Sequence, residues 1–246
     1  MGGRQKLVPL DARVERLWPT WSREEVERAI RAGEVLVGGR ILVNPAALVA
    51  TDAAVRHAPP EELAGHRKLG WALDRFGVRA AGRVVVDVGA STGGFTQAWL
   101  DAGAARVHAV DVGHGQLRGS LRQDPRVITW ERTNVADLSG ALIPDAIEAI
   151  SVDVSYLSLS SAVAQLSRLV LAPGADLLGL VKPMFELRLA TVPSDALMLG
   201  RARDSAVAGV ARAGWRVDGC DECPVRGRRG AIEFFVHATH PANPGD

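Results

Sequence analysis

The sequence holds two cysteines, one tyrosine, three methionines and only three lysines in 246 residues. Two cysteines cannot build a disulfide framework, which makes a reducing cytoplasm the expected location. No apolar run approaches the roughly 18 residues that span a bilayer. The opening "MGGRQKLVPLDARVERLW" has no apolar stretch of the kind a secretion signal carries. A formal net charge of +1 excludes binding of nucleic acid by global basicity, so any such contact must come from local arginine clusters. Lysine is the scarcest of the common charged residues: Lys6, Lys68 and Lys182 stand against 26 arginines. Lys182 closes an apolar run in "LVKPMFE", where a cation needs a reason. What is present is ordinary: 47% hydrophobic and 23% charged residues, enough for one large domain or a normal domain with a small companion.

Residues 10–57 differ in texture from the rest. "SREEVERAIRAG" places Ser22 and Glu25 at capping-box spacing, sets Val26, Ala29 and Ile30 on one face, and stops at Gly33. "EVLVGGRILV" reads as a hairpin turning at Gly38-Gly39, and "AAVRHA" as a further strand. Two helices and a small sheet are expected, a small α+β unit over residues 1–58. The unit carries Arg13, Arg16, Arg23, Arg28, Arg31 and Arg40, nearly balanced by acids, so charge alone leaves RNA binding and a solvated face equally open. "HAPPEELAGHRKL" reads as a linker, over residues 59–67.

From residue 83 apolar strands alternate with helices: "RVVVDVGA", "RVHAVDV", "RVITW", "IEAISVDVS" and "ADLLGLVK", then "WRVDGC" and "AIEFFVHA". Strands this apolar are buried on both faces, which predicts a doubly wound α/β domain with a parallel sheet over residues 68–246. Ligands of such sheets lie beyond the carboxyl ends of the strands. Asp87, Ser91, Asp111, Asn134, Asp153, Lys182 and Glu233 fall there.

The first turn, Asp87 to Gly94, matches neither the dinucleotide fingerprint nor a P-loop. "GASTG" satisfies the G-x-S-x-G elbow of hydrolases, but such an elbow needs strands ahead of it in the sheet. A glycine-rich turn followed by Asp111, 22 positions after Gly89, suits an adenosine-containing ligand whose ribose hydroxyls meet the acid. Cys220-x2-Cys223 with His237-x2-His240 resembles a zinc spacing, yet "AIEFF" between them is better used as a core strand, so no metal is expected.

Six segments, "DVGASTGGFTQ", "VDVGHGQL", "DPRVITWERTN", "DVSYLSL", "LVKPMFE" and "GAIEFF", together resemble the TlyA family of ribosomal RNA 2′-O-methyltransferases, also called hemolysin A. The front segment is similar to the RNA-binding module known as the S4 domain. The resemblance implies a Rossmann-like, FtsJ-like methyltransferase domain that uses S-adenosylmethionine to methylate a ribose 2′-hydroxyl of ribosomal RNA, cytidine being the nucleoside expected. It implies a Lys-Asp-Lys-Glu tetrad at Lys68, Asp153, Lys182 and Glu233. The cofactor would meet Asp87, Gly89, Ser91, Gly93 and Gly94, with Asp111 at its ribose, Asn134 near its adenine and Asp153 beside it. RNA would meet Arg13, Arg23, Arg28, Arg31 and Arg40 in front, and Arg226, Arg228 and Arg229 behind.

This accounts for the lysine. A ribose hydroxyl must lose its proton as it attacks a sulfonium methyl, and a guanidinium cannot accept that proton, whereas an amine can. Ribosomal RNA or ribosomal subunits are the partners implied, with a monomer favoured and no membrane. The sequence departs from the family in "LAGHRKL", in the short "LRLATVPSDALM" after Glu186, and in "RGRRGAIE". An RNA-binding protein with a slow or inactive cofactor-binding domain is the alternative.

Overall fold

The computed structural model describes residues 6–38, 40–57 and 64–241. The chain divides into two compact units, Met1–Leu63 with Arg118–Asp124, and Ala64–Leu117 with Pro125–Asp246.

The first unit runs β1 (Leu7–Pro9), α1 (Leu10–Leu17), α2 (Arg23–Arg31), β2 (Val35–Val37), β3 (Arg40–Ile41), β4 (Leu48–Ala50) and β5 (Val55–His57). The capping box forms as its spacing requires: Ser22 Oγ accepts from Glu25 N at 3.2 Å, and Ser22 N donates to Glu25 Oε2 at 2.7 Å. Gly33 ends the helix at φ +76°, a conformation that costs glycine little. Val26, Ala29 and Ile30 pack with Leu10, Val14, Val35 and Val49 into a small closed core. β2 pairs antiparallel with β3 and β5, Val37 opposite Arg40, while β1 pairs with β4. Because α2 is short and its core small, Ser22→Ala is expected to cost about 0.5–2 kcal/mol. Urea unfolding followed by the fluorescence of Trp18 and Trp21, whose rings lie 5.0 Å apart, measures this.

The second unit opens with α3 (Ala64–Phe76), β6 (Val84–Val88), α4 (Gly94–Asp101) and β7 (Arg106–Asp111). The short α5 (Gly119–Gln123) falls in the segment grouped with the first unit. Then come β8 (Val127–Glu131), β9 (Ile147–Val152), α6 (Leu159–Val163), β10 (Leu171–Val181), α7 (Pro183–Glu186), α8 (Ala196–Arg212), β11 (Arg216–Glu222) and β12 (Phe234–Thr239). Seven strands form one sheet in the order β11-β12-β10-β9-β6-β7-β8. The strands from β8 to β10 are parallel, and β12 lies antiparallel between β10 and β11. The closing pair thus departs from the all-parallel expectation, since a short connection from β11 permits only a hairpin return. The order reverses between β6 and β9, and a crevice opens beyond the carboxyl ends of these neighbours.

Residues 64–67, read from the sequence as the end of a linker, are the first turn of α3. The helix buries Lys68, Leu69, Ala72 and Leu73 on one face. It crosses α4 closely at Gly65 and Gly94, where an added Cβ on Gly94 would lie 3.0 Å from the Gly65 Cα. α8 begins at Ala196, where the Asp195 side chain accepts from Met198 N at 2.8 Å and caps it.

Candidate active site

The rim residues meet through strand register. β6 and β9 run level, Val88 beside Val152, so Gly89 and Asp153 leave the sheet side by side. Asp153 N donates to Val88 O at 2.8 Å. A Cβ on Gly89 would collide with the Asp153 carbonyl, and Gly89 also holds φ +88°, so only glycine fits. Across β10 and β12, Val181 faces Phe234. One step further along this antiparallel ladder sets Lys182 opposite Glu233. Lys68 reaches the same end of the sheet from α3, its Nζ donating to Glu233 Oε2 at 2.5 Å. Both residues of that pair are buried, at 7% and 5% exposure.

Lys182 pairs with Asp153 Oδ1 and donates to Ser155 Oγ at 2.8 Å. Asp153 Oδ1 is buried and meets the ammonium at an angle that makes an ion contact without a hydrogen bond. The four tetrad positions therefore resolve into two ion pairs at one rim, one sealed and one partly open.

Beside Asp153 lies a cleft of about 180 Å3, lined among others by Gly89, Ser91, Asp111, Gln116, Thr133 and Asp153. Asp111 holds the loops that frame it: Oδ2 accepts from Ser91 N at 2.8 Å, Oδ1 from Gly113 N at 2.6 Å. Ser91 takes φ +47° to do so, and its hydroxyl donates to Gln116 Oε1 at 3.2 Å. The glycine at 89, the acid at 111 and the narrow apolar wall of Val88, Val110 and Val135 fit a nucleoside with hydroxyls to offer.

Four expected cofactor residues stand back from the cleft lining. Asp87 is fully buried beneath the turn, where Thr96 Oγ1 donates to it at 2.7 Å and Ser151 Oγ at 2.8 Å, with Trp99 Nε1 donating to Ser151 Oγ in turn. Its part is to tie β6, β9 and α4 under the loop. Gly93 caps α4 at φ +96°, and Gly94 serves the crossing with α3. The Asn134 side chain accepts from Ala136 N at 3.0 Å and caps a short turn, while its neighbours Thr133 and Val135 line the cleft. Ser155, Tyr156, Gln116 and Thr133 escaped the sequence reading. Their signal was adjacency alone: Ser155-Tyr156 follow Asp153, and Gln116 follows "VGHG".

Burial pushes the Asp87 carboxyl up from about 3.8 to about 7, against the pull of its two hydroxyl donors. The folded state then keeps a proton that the unfolded chain releases, so this group's contribution to stability is largest in acid and falls as pH rises from about 4 to about 7. Asp87→Asn, which cannot ionise, is expected to gain on the parent across that window. Urea midpoints at both ends of it, parent beside variant, would show a constant difference if the expectation fails.

The cysteine and histidine spacing is spent on structure. His237 Nε2 bonds Asp176 Oδ1 at 2.7 Å, and the His240 ring stands edge-on to Trp215. Burial pushes the Cys220 thiol up to about 12 and raises that of Cys223. Neither is expected to react with a disulfide reagent at neutral pH until urea unfolds the chain, and fast labelling of the folded protein would contradict this. Among the described residues no group of three or more His, Cys, Asp or Glu side chains could hold a metal ion. None of the described helices is long and apolar enough to cross a membrane.

Arg226, Arg228 and Arg229 lie exposed on the connection before Glu233, Arg226 paired with Glu222 at 2.9 Å. Gly227 of this connection abuts the Glu233 carboxylate. In the first unit Arg23 and Arg31 share Glu27, Arg28 is exposed, and Arg13 is half-buried with its guanidinium donating to Ala53 O at 3.3 Å. Arg40 stands in β3, its side chain outside the described residues.

The sequence model of the FtsJ-like methyltransferases matches residues 65–240. The chain is 38% identical over 236 residues to the 16S/23S rRNA (cytidine-2′-O)-methyltransferase TlyA of Mycobacterium tuberculosis, covering 92% of this chain and 88% of that one. Hemolysin A of Brachyspira hyodysenteriae is 32% identical, over 89% of this chain and 94% of its own. A solved Streptococcus thermophilus structure described as a hemolysin superposes with a TM-score of 0.69 at 29% identity, over 97% of this chain and 90% of its own. With its tetrad positions paired at the rim and its glycine turn against a nucleoside-sized cleft, the chain belongs to the TlyA family of FtsJ-like methyltransferases.

Proposed function

We propose that the protein methylates a ribose 2′-hydroxyl of ribosomal RNA, cytidine being the expected nucleoside, with S-adenosylmethionine as donor and Lys182 as base. The observation that carries this reading is Asp153. It lines the cleft and also contacts the Lys182 nitrogen, so a donor in the cleft and the proposed proton acceptor would share one wall. The relatives named as rRNA (cytidine-2′-O)-methyltransferases support the substrate.

The bound cofactor would supply an electrophilic methyl on a sulfonium, whose departure leaves a neutral thioether. Gly89 would let its backbone approach the ligand, Asp111 would offer lone pairs to ribose hydroxyls, and Val88, Val110 and Val135 would give the base an apolar wall. Lys182, in its neutral form, takes the hydroxyl proton as the oxygen attacks. Asp153 then stabilises the ammonium that results. Lys68, locked to Glu233, is a fixed cation at the same end of the sheet.

RNA contact would divide between the first unit, as an S4-like module, and the arginines ahead of Glu233. Neutralising Arg226, Arg228 and Arg229 together is expected to weaken binding and to lower the slope of log K against log salt by about 2 to 3. An unchanged slope in filter binding from about 50 to 200 mM salt would remove these residues from the interface. The overall test is tritium transfer from labelled S-adenosylmethionine to purified bacterial ribosomal subunits, followed by nuclease mapping of the product. Label found on a base, or none at all, overturns the reading.

A further inference from the structure

We propose that Ser155 is a positioning residue for Lys182: its hydroxyl fixes the direction in which the amine presents its lone pair. This rests on Lys182 being the base. A neutral primary amine has two N–H bonds and one lone pair. Free rotation about its last carbon–nitrogen bond would sweep that lone pair through a full circle, and most orientations would miss the ribose hydroxyl. Two oxygens narrow that freedom. Ser155 Oγ accepts one N–H of the Lys182 nitrogen at 2.8 Å, and Asp153 Oδ1 closes another side by an ion contact without a hydrogen bond. With one N–H held and a second side occupied, the lone pair is confined to the remaining directions, which the undirected contact with the acid alone would leave undetermined.

The placement of Ser155 follows from the sheet. In the parallel β9–β10 ladder Gly179 lies beside Val152, and three residues further on each chain bring Lys182 level with Ser155. Ser155 is exposed, lines the cleft and lies outside any helix or strand, so it carries no share of the core. Among the described residues no acceptor is placed for the Ser155 hydroxyl hydrogen, which leaves it free to turn its lone pair toward the lysine. A side chain with neither burial nor secondary structure to maintain, yet bonded to the base, is explained by orientation.

The test compares Ser155→Ala, Lys182→Ala and the double variant in tritium transfer to ribosomal subunits. Ser155→Ala is expected to lower kcat about tenfold or more, as for misorientation of a reacting group, while KM for S-adenosylmethionine stays within about twofold. In the Lys182→Ala background the same change should do nothing further, because there is no amine left to orient. An unchanged kcat, a change confined to the cofactor KM, or an additive loss in the double variant each overturns the positioning role while leaving Lys182 as base. Full transfer by Lys182→Ala overturns the base, and this inference with it. Unchanged circular dichroism of Ser155→Ala ties the loss to the site.

Discussion

Lys182→Ala should cut methyl transfer by about 10²–10⁴-fold, the usual contribution of a positioned general base. Lys182→Arg should do no better. The arginine keeps the charge, the length and a partner for Asp153, but a guanidinium holds its proton at any pH the fold tolerates. A residue that merely neutralised Asp153 would tolerate arginine, so this pair of variants separates proton acceptance from charge balance. Some stability should be lost as well in Lys182→Ala, because the two side chains are only 16% and 23% exposed and Asp153 is left without its cation. Isothermal titration should find the cofactor binding the variants about as tightly as the parent, since the cleft wall is intact. Transfer by Lys182→Arg within about tenfold of the parent would end the case for this residue as base.

The second large effect belongs to the sealed pair. Lys68 and Glu233 contact at 2.5 Å with their side chains 9% and 7% exposed. Removing one partner leaves a buried charge without compensation, so Lys68→Ala or Glu233→Ala is expected to lose about 3–5 kcal/mol by urea unfolding. The double change Lys68→Met with Glu233→Gln leaves no buried charge and should recover most of that stability. Transfer should not return with it, because the fixed cation beside the reacting centre is gone. A double variant that is both stable and active would reduce the pair to a structural fastening, and one as unstable as the singles would refute the charge argument.

These two pairs also mark where the sequence was legible. Periodicity sufficed for the core: "RVVVDVGA" and "IEAISVDVS" became β6 and β9 because continuous valine and isoleucine runs can only be satisfied between two covered faces. Ser22 with Glu25 and Gly33 bounded α2 through contacts three or four residues apart, which a sequence displays directly. α3 was missed because its buried face includes Lys68, a cation where the pattern calls for an apolar residue. The partner that makes this burial tolerable, Glu233, stands 165 residues away. The antiparallel return of β12 was missed for a similar reason, since alternation of strands and helices carries no strand direction.

The tetrad came from family resemblance, the glycine turn and the rim residues from the strand pattern itself, and the chemistry of lysine against arginine gave them sense. What resemblance could not supply was the division of labour. Asp87 looks like a ligand in "VDVGAST", yet it lies under the loop, accepting from Thr96 and from Ser151, whose hydroxyl in turn accepts from Trp99. Ser155 looks like loop filler, yet it touches the lysine. By itself the sequence determined the α/β alternation, the local caps and the residue types able to accept a proton, because these depend on neighbours along the chain. Which charges are sealed in pairs, which acid lies beneath the loop and which hydroxyl reaches the amine were decided only by strand register, which brings Gly89, Asp153, Lys182 and Glu233 to one end of the sheet from four separate stretches of chain.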